Sequence, residues 1–143
     1  MLSDKVLLID DEVEFIETLA ERLRARGLEI DVATDGEQGI ERAKAKSYDA
    51  IILDFAMPGM DGIETLKGLL AQNPAVQVML LTGQATIQTA AKATKLGAVD
   101  VLEKPTDVET LMEKIHEARE RHVALKTQQS QEQVEDILRR RGW

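Results

Sequence analysis

Lys5-Val6-Leu7-Leu8-Ile9 runs straight into Asp10-Asp11, and this junction decides how the chain is read. So short an apolar run suits a strand covered on both faces better than a buried helix. The pattern recurs downstream. Ala50-Ile51-Ile52-Leu53 ends in Asp54, Val76 to Leu81 ends in Thr82-Gly83, and Ala98 to Glu103 leads into Lys104-Pro105. Leu28, Ile30 and Val32 alternate with Glu29 and Asp31, as an edge or half-exposed strand does. Helical spacing fills the intervals. Ile16, Leu19, Ala20 and Leu23 lead to Gly27, a residue suited to end a helix. Residues 36 to 46 turn Ile40 and Ala43 inward, and Ile63, Leu66 and Leu70 form a stripe that stops near Asn73-Pro74. Ala85 to Leu96 is a small-residue helix closed by Gly97, and Leu111, Ile115 and Ala118 mark the last helix. Pro58, Gly59 and Gly62 make the stretch after Asp54 a loop.

Strand and helix thus alternate five times, which predicts an α/β fold: a doubly wound, five-stranded parallel sheet with helices on both faces. The chain of 143 residues is one domain in size, and its 43% apolar content supplies a core, which excludes global disorder. Lys and Arg number 18 against 26 Asp and Glu, for a net charge of −8, so direct nucleic-acid binding is not expected. No apolar run approaches the ~18 residues that span a membrane, and the N-terminus does not read as a signal peptide. Cysteine is absent, which removes disulfides, thiolate metal sites and cysteine nucleophiles. A soluble cytoplasmic protein fits these features.

In doubly wound sheets the site lies beyond the carboxyl ends of the strands. The residues there are Asp10, Asp11, Asp54, Thr82 and Lys104. Singly, each has an ordinary explanation: an Asp after a strand forms turns or caps helices, and a Lys before Pro is a solvated charge. Together they place three carboxylates, a hydroxyl and an ammonium on one sheet edge. Two like charges ~4 Å apart repel by about 4 kcal/mol at an effective dielectric of 20, and a hard divalent cation relieves this. Mg²⁺ prefers oxygen and binds through one or two carboxylates plus phosphate oxygens. The lack of Cys, and of His in these loops, argues against zinc. A carboxylate can also act as a nucleophile that takes up a phosphoryl group. Lys104 and Mg²⁺ suit neutralisation of the transferred charge, and the Thr82 hydroxyl suits a hydrogen bond to a phosphoryl oxygen.

Four motifs in order, Val6-Leu7-Leu8-Ile9-Asp10-Asp11-Glu12, Leu53 through Gly62, Leu81-Thr82-Gly83 and Lys104-Pro105, resemble the receiver domain of two-component response regulators, the CheY-like superfamily. The resemblance covers about residues 4 to 122 and implies strand order 2-1-3-4-5. It implies that Asp54 is the phosphoacceptor, and that Asp10 and Asp11 hold Mg²⁺ with Asp54 and the backbone carbonyl of Ala56. Thr82 and Lys104 would read and neutralise the phosphoryl group. The donor would be a phosphohistidine on a sensor histidine kinase or histidine phosphotransfer protein. A downstream protein target would be regulated through the face of the fourth and fifth helices and the fifth strand. Such a domain is not an enzyme beyond its own phosphoryl transfer and autodephosphorylation. Alternatives are a receiver piece of a longer transcription regulator, an unphosphorylated adaptor, or an aspartyl-phosphate hydrolase, although Ala56 stands where the last would carry a further carboxylate. Two departures stand out. Val101 occupies a position often aromatic in the family, and Ala56 and Gln84 occupy positions that tune aspartyl-phosphate lifetime.

Residues 1–122 thus read as the receiver and 123–143 as an appendage. Lys126 to Gln133 is polar and linker-like, and Ser130 with Gln133 matches a capping box. A short amphipathic helix is therefore expected over residues 130 to 141, with Val134, Ile137 and Leu138 as its stripe and Trp143 close behind; the alternative is that the last receiver helix runs on through this stretch. That stripe suggests docking on a partner or a homodimer through the fourth and fifth helices and the tail. His116 and His122 do not share a helix face and are not read as a metal pair.

Overall fold

The computed structural model describes residues 4–55, 62–83 and 87–141. Five strands and five helices alternate: β1 Lys5–Ile9, α1 Val13–Ala25, β2 Glu29–Ala33, α2 Gly36–Ala45, β3 Ala50–Leu53, α3 Gly62–Gln72, β4 Val78–Thr82, α4 Ile87–Leu96, β5 Asp100–Glu103 and α5 Val108–Arg140. All strand pairs are parallel, in the order β2-β1-β3-β4-β5. The expected fold class and strand order are both present.

Alternation within the strands splits the core in two. Val6, Leu8, Ile52, Met79 and Leu81 face α1 and α5, meeting Ile16, Leu23, Leu111 and Ile115. Leu7, Ile9, Ile51, Leu53, Val78 and Leu80 face the opposite layer of α2, α3 and α4, meeting Leu66, Leu69 and Ala93. The central strands are apolar at almost every position because both of their faces are covered. β2 lies at the sheet edge, and its alternating sequence leaves Asp31 and Val32 partly exposed.

Local chemistry sets the helix ends. The Asp35 carboxylate accepts from the Gln38 N–H at 2.7 Å and caps α2, and Asp107 accepts from the Thr110 N–H at 2.6 Å and caps α5. Gly27 follows α1 with φ +91° and Gly97 follows α4 with φ +115°, a backbone region that disfavours a Cβ. At the buried edge of β2, the Tyr48 hydroxyl donates to Asp31 at 2.7 Å and Lys46 reaches the same oxygen at 3.1 Å. The Tyr48 hydrogen bond and the Lys46 charge hold the Asp31 carboxyl below its ordinary value.

In the tail the structure takes the second of the two expected forms, the helix that runs on. Residues 123–140 are neither a linker nor a separate helix, because α5 continues unbroken for 33 residues from Val108 to Arg140. No Gly or Pro falls between Thr106 and Arg141, and Lys, Gln, Glu and Ala are good helix formers. The packed first half of α5 also supplies the nucleus that an isolated helix would have to form at a cost. Ser130 therefore sits mid-helix instead of capping one. The domain's grip on α5 ends at His122, which is 2% exposed, with Nδ1 3.3 Å from an Asp49 oxygen. Arg119 pairs with Asp4 at 2.9 Å and Arg121 donates to Gln77 at 3.0 Å on the same stretch. Beyond it Val134, Ile137 and Leu138 are exposed. Trp143 lies outside the described residues.

Candidate functional site

The site gathers at the carboxyl ends of β1, β3, β4 and β5. Backbone hydrogen bonds carry the sheet register one residue past β1, β3 and β5. The Asp10 N–H donates to the Ala33 carbonyl at 3.1 Å, Asp54 to Ile9 at 2.9 Å, and Lys104 to Thr82 at 2.9 Å. The functional side chains are thus tied to the sheet by backbone hydrogen bonds. Asp10 and Asp54 are each 5% exposed and Thr82 is 2% exposed. The Lys104–Pro105 peptide bond is cis.

Lys104 is the hub. Its Nζ lies 2.7 Å from Asp10 Oδ2, 3.3 Å from Glu12 Oε1 and 3.8 Å from Asp54 Oδ2. The Phe15 ring of α1 offers its face to the same ammonium, 4.3 Å from the centroid. Burial works against the charge on Lys104, but hydrogen bonds and attraction from Asp10, Asp54 and Glu12 outweigh it and raise its pKa above the ordinary lysine value. One oxygen from each of Asp10, Glu12 and Asp54 falls within 4.8 Å of the others. Three carboxylates against one ammonium leave the cluster net negative. An all-oxygen donor set of this compactness and charge fits a hard divalent cation such as Mg²⁺.

The structure thus brings together Asp10, Asp54 and Lys104 as the sequence suggested, with Thr82 buried on the adjoining strand end. Asp11 is exposed and is not part of the three-carboxylate group. Glu12, also exposed, is the third member of that group. The Asp10 carboxylate accepts from the Glu12 N–H at 2.9 Å just ahead of α1, and the Glu12 carboxylate accepts from Lys104 at 3.3 Å. Ala56 and Gln84, named as a metal ligand and a lifetime-tuning position, lie outside the described residues. The Gly62 N–H at the start of α3 donates to the Phe55 carbonyl at 3.0 Å. Val101 is partly buried against the core layer of α2, α3 and α4. Glu12 and Phe15 are the residues that sequence reasoning missed. The only available hint was their position in the first turn after a strand-terminal Asp.

Residues 6–116 match the sequence profile of the response regulator receiver domain. The chain belongs to the response regulator receiver family. Among curated relatives, the receiver is 35% identical over 113 residues to the transcriptional regulatory protein ZraR of Escherichia coli K12, covering 79% of this chain and 26% of that protein. It is 33% identical to the transcriptional regulatory protein FixJ of Bradyrhizobium diazoefficiens, covering 79% of this chain and 55% of that protein. The chain therefore spans only about a quarter of the length of the ZraR proteins it matches. Among solved structures, a receiver domain protein from Clostridium thermocellum superposes with a TM-score of 0.80 at 30% identity, over 85% of this chain and 98% of that one. The receiver is thus a phosphoacceptor signalling module of the two-component type, a class that works with histidine kinases and downstream targets. No helix among the described residues is long and apolar enough to cross a membrane.

Proposed function

We propose that Asp54 accepts a phosphoryl group from a phosphohistidine, on a sensor histidine kinase or a histidine phosphotransfer protein. The observation that carries this reading is the convergence of Asp10, Glu12 and Asp54 on the ammonium of Lys104. An Asp54 oxygen attacks phosphorus while the bond from phosphorus to the imidazole nitrogen breaks, and the imidazole keeps that electron pair. Because Lys104 already lies 3.8 Å from Asp54, it can meet the charge of the new phosphoryl oxygens with little rearrangement. The Thr82 hydroxyl, buried on β4, is the donor assigned to one of those oxygens. Mg²⁺, held by Asp10, Glu12 and Asp54 with Asp11 and the Ala56 carbonyl as further candidates, would supply the remaining neutralisation. No other catalytic activity is assigned: the receiver catalyses its own phosphorylation and dephosphorylation and acts by binding a downstream protein.

The same reading assigns the exchange to the cytoplasm, where ATP-derived phosphohistidine is made. It also assigns a homodimer through α4, α5 and the tail, supported by the exposed Ile87 on α4 and Val134, Ile137 and Leu138 on α5. The deciding experiment is incubation with Mg²⁺ and acetyl phosphate. One hydroxylamine-labile phosphoryl group is expected on the wild type and none on Asp54→Asn. Labelling of the variant at the wild-type rate overturns the assignment. Light scattering of phosphorylated protein, intact and truncated after Leu125, tests the dimer. An unchanged monomer mass in both removes it.

A further inference from the structure

Lys104 uses its charge on four neighbours, and only three of them are carboxylates. The fourth is the face of Phe15, 4.3 Å from Nζ to the ring centroid. An ammonium has three N–H donors. Here they are directed at Asp10 and Glu12, with Asp54 just beyond hydrogen-bond range. If Asp54 gains a phosphoryl group, at least one donor must leave a carboxylate for a phosphoryl oxygen. During that exchange the carboxylates compete for the ammonium, whereas the ring attracts it through its quadrupole and occupies no donor. The ring is well placed for this. Phe15 is partly buried against the core layer of α1 and α5, which fixes its orientation. It also lines the small cavity beside Asp10 and Asp54. The Lys104 side chain is only 12% exposed, so water screens the contact little.

We propose that Phe15 is a positioning residue for phosphoryl transfer: its ring is a seat that keeps the Lys104 ammonium over Asp54 while its hydrogen bonds pass from Asp10 and Glu12 to the phosphoryl group. The inference rests on the reading of Asp54 as acceptor and Lys104 as the neutralising cation. A seat of this kind depends on a π face and not on bulk. Tyr and Trp in place of Phe15 preserve it, whereas Leu fills similar space without it.

Two measurements on the whole chain test the proposal. The first is the NMR shift of the Lys104 ε-methylene protons in metal-free protein. The wild type and Phe15→Tyr should show the upfield displacement that a ring face imposes, and Phe15→Leu should lose it. The second is the rate of phosphorylation by acetyl phosphate with Mg²⁺. Phe15→Leu should slow it about fivefold to thirtyfold, the ratio equivalent to ~1–2 kcal/mol, and Phe15→Tyr should restore it to within about twofold. Ring-fluorinated phenylalanine at position 15 guards against a folding defect in the leucine variant. Successive fluorines weaken the quadrupole at nearly constant shape, and the rate should fall stepwise. A Leu variant as fast as wild type, equal losses in Leu and Tyr, or a rate indifferent to fluorination overturns the seat. If the wild type itself takes no phosphoryl group on Asp54, the acceptor assignment fails instead, and the proton shifts show separately whether the ring holds the ammonium.

Discussion

Replacing Asp54 by Asn should stabilise the metal-free receiver. Asp54 stands within 4.8 Å of oxygens of Asp10 and Glu12, and 3.8 Å from the Lys104 ammonium. At an effective dielectric of 20, each like-charge contact at that limit costs ~3.5 kcal/mol and the Lys104 attraction returns ~4.4 kcal/mol. Two repulsions against one attraction leave about 2.5 kcal/mol of net strain. Solvent screening of Glu12, whose side chain is 62% exposed, lowers the expected gain to about 1–2 kcal/mol. For a domain of this size that corresponds to a melting temperature raised by roughly 3–8 °C. The assay is thermal unfolding by circular dichroism, in chelator and then across a Mg²⁺ titration. Wild type should gain about 2.7 kcal/mol at a Mg²⁺ concentration a hundred times its dissociation constant. Asp54→Asn, having lost one carboxylate ligand, should gain much less at the same concentrations. The two melting curves should therefore converge as Mg²⁺ rises. If Asp54→Asn melts at or below wild type in chelator, Lys104 neutralises the cluster more fully than the distances imply, and the electrostatic reasoning fails.

Tyr48→Phe removes the hydroxyl that lowers the Asp31 pKa. Because that folded pKa is depressed, the stability lost in the variant should be fully present at neutral pH, begin to fade below the ordinary aspartate value of 3.8 and be gone once pH has fallen through the lowered folded value; chemical denaturation at pH 7 and across the acid range reads the difference. Gly62→Ala would set a Cβ 2.5 Å from the Phe55 carbonyl oxygen. Phe55 or the start of α3 must then shift, and a loss of about 1–3 kcal/mol is expected by denaturant titration, with slower phosphorylation of Asp54. Asp49→Ala leaves the buried His122 ring without its hydrogen-bond partner, at a cost of about 1–3 kcal/mol. Hydrogen exchange should quicken in α5 around residues 119–122, and at the Lys5 N–H that donates to Asp49 at 2.8 Å, well before it changes in β3.

The sheet was legible because both of its signals are local. Apolar runs mark strands covered on two faces, and each run stops at a residue too polar to bury without a purpose. Asp10, Asp54, Thr82 and Lys104 could be named because strand ends in a parallel sheet share one edge. Asp11 and Glu12 could not be told apart in this way. Beyond Ile9 the chain leaves strand geometry, and past the turn built by the Asp10 carboxylate on the Glu12 N–H it is Glu12 whose carboxylate lies within reach of Lys104. Phe15 was illegible for a related reason: its partner lies 89 positions later, and helical periodicity gives only a face, not a neighbour. The tail stayed open between two readings because a polar composition suits a linker as well as a solvated helix. Lys126 to Gln133 holds no helix breaker, and the anchored turns before it were enough to carry the helix onward.

The continuous α5 also has a mechanical consequence. Its anchored part ends at His122, and the 18 residues from there to Arg140 extend roughly 27 Å at the 1.5 Å rise of an α-helix. A tilt of about 5° at that fulcrum would carry the far end by roughly 2 Å, a displacement comparable to half a helical turn. Shifts too small to resolve against the packed face of the domain are thus magnified along the shaft. Arg139, Arg140 and Arg141 ride at its tip, so whatever meets that cluster of charge feels the orientation of the whole receiver.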